Sequence, residues 1–352
     1  MHSVLVITPC HPKYIQTPGA LIAHKLQQEG VRVGILSRAK SSWGRLLDIV
    51  FRGFFLLPQY DGVLVNVYGE RAFVYETAAI LYGRFWKKHV VALVHSGLMP
   101  KFVQKWPRWT RIILSQSNLV LVPHGFLKDT LSDLGIRIDA VLPNFIELEK
   151  YKFRERTPLE PRFLFLRGIH PIYNPEMALR AFGLVQRRYP DASLTMAGPE
   201  KSDPASCHTL VRELKLRNVQ FIGLVPKEEI PALADKHDIH LHTNRVENMP
   251  VSIIEMWACG LPIVGTNVGG MPYLVRDGQD AILVDSEDYT AMADACFELL
   301  SNGPLANKLS RNGRRRAEQL MWQNMKPQWE RALLLNGKIG PTWDSTAPTS
   351  SV

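Results

Sequence analysis

Arg162-Phe-Leu-Phe-Leu-Arg167 reads as a buried strand that begins a second series of strand and helix units. Just before it the pattern breaks: Pro143 is followed by the charged runs Glu147-Leu-Glu-Lys150 and Arg154-Glu-Arg156, then Pro158 and Pro161. Just after it, a helical stretch at 175–189 is followed by β-rich runs at 193–197, 219–222, 239–242, 262–265 and 281–284. Ser3-Val-Leu-Val-Ile-Thr8 plays the same opening part at the start of the chain. A helix at 19–29 follows it, and then strands at 31–36, 62–67, 90–94, 119–122 and 140–142. Alternation of this kind calls for an α/β fold with parallel sheets. The expectation is two doubly wound, Rossmann-like domains facing a cleft, at 1–150 and 151–335. A helical segment is expected at 304–335, and the Gly, Pro, Ser and Thr of 336–352 are expected to form a disordered tail.

The composition suits this division. At 352 residues, 46% hydrophobic and 21% charged, the chain is too long for one core and right for two. Its apolar runs are far shorter than the roughly 20 residues of a membrane span. The first twelve residues lack the basic leader and small-residue cleavage site of a signal peptide. Cys10, Cys207, Cys259 and Cys296 stand far apart, with neither a disulfide framework nor a zinc ribbon spacing. A cytoplasmic protein is expected.

The net charge of +9 is uneven. Residues 1–111 hold 15 Lys+Arg against 5 Asp+Glu, and the rest of the chain 27 against 28. Two stretches in the basic third interleave cations with rings: Arg38, Lys40, Trp43, Arg45, Phe51, Arg52, Phe54 and Phe55, then Lys101, Phe102, Lys105, Trp106, Arg108, Trp109 and Arg111. Such stretches are either solvated helix faces with core rings beneath or surfaces for an anionic membrane. With no RNP-like or zinc-finger pattern, no nucleic-acid partner is expected. Trp43, Arg45, Arg52, Lys101, Lys105, Trp106, Arg108 and Trp109 are the candidate acceptor- or membrane-facing residues.

The chemistry concentrates in Glu247-Asn-Met-Pro-Val-Ser-Ile-Ile-Glu255, continued by Met256-Trp-Ala-Cys-Gly-Leu-Pro-Ile-Val264 and Gly265-Thr-Asn-Val-Gly-Gly270. Pro250 suits the first turn of a helix and Asn248 its cap, which leaves Glu247 in the preceding loop and Glu255 on the helix. Such a helix start offers N–H groups and a positive dipole end to an anionic or hydroxyl-rich ligand. His240 and His242 alternate with Leu241 and read as facing one side of a strand. Asp285, Glu287 and Asp288 precede a helix and suit N-capping better than a metal site. No GxGxxG or GxxxxGK[ST] is present, against a dehydrogenase or a nucleotide hydrolase.

Glu247, Glu255, Gly260, Pro262, Ile263, Val264, Gly269 and Gly270 together resemble the signature of the retaining glycosyltransferases of family 4, which have the GT-B fold; the resemblance implies that the C-terminal helix returns to the N-terminal domain. Val94-His-Ser-Gly97, Leu119–His124, Val141–Phe145, Phe163–Asn174 and Ala192–Gly198 extend the likeness over most of the chain. The resemblance implies a nucleotide-diphosphate sugar donor, with Glu255 on the ribose hydroxyls and Glu247, Asn248, Met249, Pro250 and Val251 facing the donor sugar. It places Gly19 and Gly198 in glycine turns around the donor, and His95 at a strand end beside the sugar, where it could hydrogen-bond or accept a proton. The family usually neutralises the diphosphate with Gly-Arg and a lysine five residues on. Here the order is Arg167-Gly168, Tyr173 fills the lysine column, and Lys201 is a candidate substitute. No metal or other cofactor is expected. The acceptor implied is a glycan or a lipid-linked sugar, in cell-surface polysaccharide or glycolipid synthesis. An epimerase or phosphorylase of the same architecture, or a non-catalytic partner protein, are the alternatives.

Overall fold

The structure, a computed structural model of the chain, describes residues 2–8, 17–36, 42–200 and 204–335, without the side chains of residues 42, 43, 45 and 204. It divides into two compact units, Met1–Asn144 with Trp322–Val352, and Phe145–Met321. The first unit contains β1 (Ser3–Ile7), β2 (Arg32–Leu36), β3 (Gly62–Val67), β4 (His89–Val94), β5 (Leu119–Val122) and β6 (Ala140–Val141). The second contains β7 (Arg162–Leu166), β8 (Ser193–Ala197), β9 (Val219–Gly223), β10 (Ile239–His242), β11 (Ile263–Thr266) and β12 (Ile282–Val284). Every expected strand is found within one residue of its expected ends.

Both sheets are parallel and doubly wound, ordered β2-β1-β3-β4-β5-β6 and β12-β11-β10-β7-β8-β9. Strand order reverses between β1 and β3 in the first and between β7 and β10 in the second, and at such switch points the carboxyl ends open toward a ligand. The apolar runs are continuous because helices cover both faces. In β7, Phe163 and Phe165 join one core cluster while Leu164 joins the cluster on the opposite face.

The expected terminal helix is two helices. Gly303–Gln319 belongs to the second unit, and its Gly313 lies so close to Trp257 that a Cβ there would come within 2.2 Å of the ring. Trp322–Ala332 belongs to the first unit. There the Trp322 indole donates to Glu29 at 3.1 Å, Lys326 pairs with the same carboxylate, and the His89 ring meets the Ala332 carbonyl at 2.9 Å. Among the described residues no helix is long and apolar enough to cross a membrane.

Candidate functional site

At the switch point of the second unit, β7 delivers Arg167 and β10 delivers His242, Thr243 and Asn244 to one place. Hydrogen bonds stitch the two following loops together. The Thr243 hydroxyl is shared between the Tyr173 and Asn174 carbonyls at 2.8 and 2.7 Å, and the Arg245 N–H donates to Ile172 at 2.9 Å. Glu247 lies across this frame, nearly buried. Its Oε2 accepts from Arg167, from Asn244 and from His242 Nε2 at 3.0 Å, while Oε1 accepts the Asn248 N–H at 2.8 Å. Burial alone would raise the Glu247 pKa, but the Arg167 guanidinium and the His242 bond outweigh it and hold the carboxyl down at about 2. Burial pushes the His242 pKa down despite its Glu247 bond. His242 is therefore a neutral donor at neutral pH.

The Gly-Gly turn exists for this loop. Gly269 has φ +52°, and a Cβ there would lie 2.2 Å from the Glu247 carbonyl oxygen, which accepts the Gly270 N–H at 3.1 Å. Gly198 serves the neighbouring strand end: its Cβ would stand 2.1 Å from the Arg167 carbonyl oxygen. The Arg167 guanidinium lies over the Tyr173 ring, 5.3 Å from its centroid. Tyr173 thus carries the arginine on its ring face, a contact no lysine would supply. The Arg167 Nε is buried without a hydrogen-bond acceptor among the described residues. Lys201 lies outside the described residues.

The helix that follows runs Val251–Cys259 and differs from expectation at its start. Pro250 is its N-cap, in extended conformation, and no side chain caps it. Asn248 is therefore not the cap: it stands two residues before Pro250, outside the helix start, with its N–H turned to the Glu247 carboxylate. Met249 is buried beneath this turn with Ile253 and Ile254. The helix ends as the sequence implies, with Gly260 at φ +82° closing its last turn. Glu255 is buried on this helix, and Tyr151 at 2.7 Å and Lys227 at 3.1 Å both meet its Oε1.

In the first unit, Gly19 lies in the first turn of the helix Pro18–Gln28, and a Cβ there would come within 2.4 Å of Asn66 Nδ2. Asn66, buried at the end of β3, donates to the Ile7 carbonyl at 3.2 Å and meets His95 Nε2 at 2.9 Å. Gly19, Asn66 and His95 therefore form one polar contact group at the carboxyl ends of β1, β3 and β4. Burial pushes the His95 pKa down to about 4.

The basic aromatic stretches separate by face. Lys101, Lys105, Trp106 and Arg108 are exposed, and so is Arg52, paired with Asp48 at 2.8 Å. Trp109 is half-buried: its ring packs edge-on to Phe73 at 4.9 Å and also touches Phe102. The side chains of Trp43 and Arg45 lie outside the described residues. Asp288 caps the helix Tyr289–Ser301 by accepting from the Thr290 and Ala291 N–H groups. Sequence reasoning missed Asn66, Tyr151, Lys227 and Asn244, and it read His242 as facing one side of the strand with His240 without giving it the Glu247 contact. The alternation of His240 and His242 was the one available signal.

Residues 149–316 match the family model described as glycosyl transferases group 1. The D-inositol 3-phosphate glycosyltransferase of Corynebacterium aurimucosum is 30% identical over 172 residues, 47% of this chain and 41% of that protein. The enzyme of the same name from Mycolicibacterium smegmatis is 30% identical over 194 residues, 53% and 43% respectively. The chain thus spans less than half the length of these curated relatives. Among solved structures, Anabaena HepE in complex with UDP and glucose superposes with a TM-score of 0.77 at 16% identity, covering 95% of this chain and 100% of that one. The sucrose-phosphate synthase of Thermosynechococcus elongatus gives 0.77 at 16% identity over 94% and 98%. By fold the chain is similar to the GT-B glycosyltransferases, and its segment 149–316 carries the sequence pattern of glycosyl transferases group 1.

Proposed function

We propose that the chain is a retaining glycosyltransferase of family 4, moving a hexose-type sugar from a nucleotide-diphosphate donor to a glycan or lipid-linked acceptor. The carrying observation is the Glu247 site: a carboxylate held ionised by Arg167, His242 and Asn244, directly before a helix start. Three donors occupy Oε2, so Oε1, which among the described residues accepts only the Asn248 N–H, has the lone pair left to receive a donor-sugar hydroxyl. Glu255 works in parallel, its Oε1 taken by Tyr151 and Lys227 and its Oε2 turned to the ribose hydroxyls. The reaction is proposed to run without a metal. Charge on the leaving diphosphate falls instead to the partly exposed Arg167 guanidinium and to the first N–H groups of the helix Val251–Cys259. The leaving phosphate then stays beside the attacking hydroxyl on the same face of the sugar. His95, uncharged at neutral pH, serves as a hydrogen-bonding partner of donor or acceptor. The names of the curated relatives and the UDP complexes among the structural neighbours support this reading. Cell-surface polysaccharide or glycolipid synthesis, at the inner face of an anionic membrane, is the setting proposed.

A panel of nucleotide sugars, read first by thermal stabilisation and then by transfer, tests the reading. The anomeric configuration of the product is expected to match that of the donor by NMR. Inversion would overturn the retaining mechanism, and a folded protein that binds no nucleotide sugar would overturn the enzyme.

A further inference from the structure

Among the described residues of the first unit, most of the exposed large apolar side chains gather away from the 101–111 stretch. A patch of them forms where Ser42–Leu47, the π-helical turn Asp48–Gly53 and Phe54–Leu56 pack on the helix Phe73–Phe85. Leu47, Phe51 and Phe55 stand four residues apart on the first segment, and Leu81 and Phe85 four apart on the second. All five are exposed, Phe51, Phe55 and Phe85 at 61%, 71% and 66%. Phe54 joins the two rows, its ring 5.5 Å from Phe55, 5.3 Å from Tyr82 and 6.0 Å from Phe85. Arg84, Lys87 and Lys88 border the patch, and beside Phe85 they line an open recess of about 630 Å³. Acid is nearly absent here. Asp48 is taken by Arg52, and Glu76 is buried beneath the helix.

We propose that this face docks the protein on an anionic lipid bilayer. Leucine and phenylalanine carry no polar handle for a peptide partner, whereas rings ringed by long cationic side chains suit the boundary between acyl chains and phosphates. A second copy of the chain would set one rim of Arg84, Lys87 and Lys88 against another, so charge complementarity favours the lipid. The proposal rests on the membrane setting above for its partner and is independent of the donor chemistry.

Co-sedimentation at low salt with vesicles of phosphatidylcholine, alone and with about one third phosphatidylglycerol, tests it. The intact chain is expected to bind only the anionic vesicles. Combined Arg84→Glu, Lys87→Glu and Lys88→Glu changes are expected to weaken partitioning by roughly a hundredfold or more. Phe55→Ser with Phe85→Ser is expected to weaken it at least about tenfold. Lys101→Glu with Lys105→Glu and Arg108→Glu is the comparison and is expected to bind as the parent does. Circular dichroism and nucleotide-sugar thermal shifts report whether each variant is folded. Loss of binding in the comparison variant alone would overturn this face while leaving a membrane enzyme intact, and no binding by the parent would overturn both. A dimer abolished by Phe85→Ser in sedimentation velocity would assign the face to a second copy instead.

Discussion

Glu247 shows how one residue can be legible while its surroundings are not. Its spacing to Glu255 is visible in the chain. Its partners are not, because Arg167 arrives from β7, 80 residues earlier, and only the pairing of β7 with β10 brings the two together. The site has a signature in pH. A carboxyl at about 2 in the folded state and near 4.5 when unfolded stabilises the fold above pH 4.5, a contribution lost as pH falls through about 2. Glu247→Gln is therefore expected to flatten the acid limb of the stability curve. At pH 7 it should cost roughly 1–3 kcal/mol in chemical denaturation, since Arg167 loses its carboxylate. It should also lower sugar transfer far more than nucleotide binding, whereas Glu255→Ala should do the reverse. Glu76 has the opposite sign. Buried and bonded to the Tyr68 and Gly69 N–H groups at 2.9 and 3.2 Å, it is pushed up to about 8 by burial. The folded state thus holds its proton between about 4.5 and 8, and stability falls as pH rises across that window. Glu76→Gln should remove that slope in thermal melts.

At the level of elements, strands were readable because burial on both faces writes continuous apolar runs into the sequence. Helix starts and faces were less so. Asn248 has the chemistry of a cap, but the helix starts at Val251 with Pro250 flanking it, two residues beyond Asn248. Trp109 has the look of a surface ring, but the helix Pro107–Leu114 turns Trp109, Thr110 and Ile113 toward the core and leaves Arg108, Arg111 and Ile112 outside. The Gly-Gly turn illustrates what a residue pattern means once its contact is known. Gly269→Ala would set a Cβ against the Glu247 carbonyl at positive φ. The expected result is a loss of about 1–3 kcal/mol in stability together with weakened donor binding. Gly278→Ala is the comparison: φ is also positive, at +67°, but nothing lies within 4 Å, so the site should survive the strain.

At the scale of the whole chain, the last helix crosses back to the unit with which the sequence began, and this sets how the molecule should come apart. Trp329, Leu333 and Leu335 are almost fully buried, and Trp322, Lys326 and Ala332 hold Glu29 and His89. Ending the chain at Met321 removes these contacts from the first unit and none of the partners of Glu247 or Glu255 from the second. The truncated protein is expected to lose stability in the basic unit selectively. Limited proteolysis should then cut first within residues 1–144 while 145–321 persists as a protected fragment, and nucleotide sugars should still slow cleavage of that fragment. Cleavage that begins in 145–321 would mean that the helix Trp322–Ala332 supports the second unit after all. The same experiment bears on the charge with which the chain begins, because the protected fragment is nearly neutral. Retained nucleotide binding there would show that donor recognition needs none of the excess positive charge of the first 111 residues.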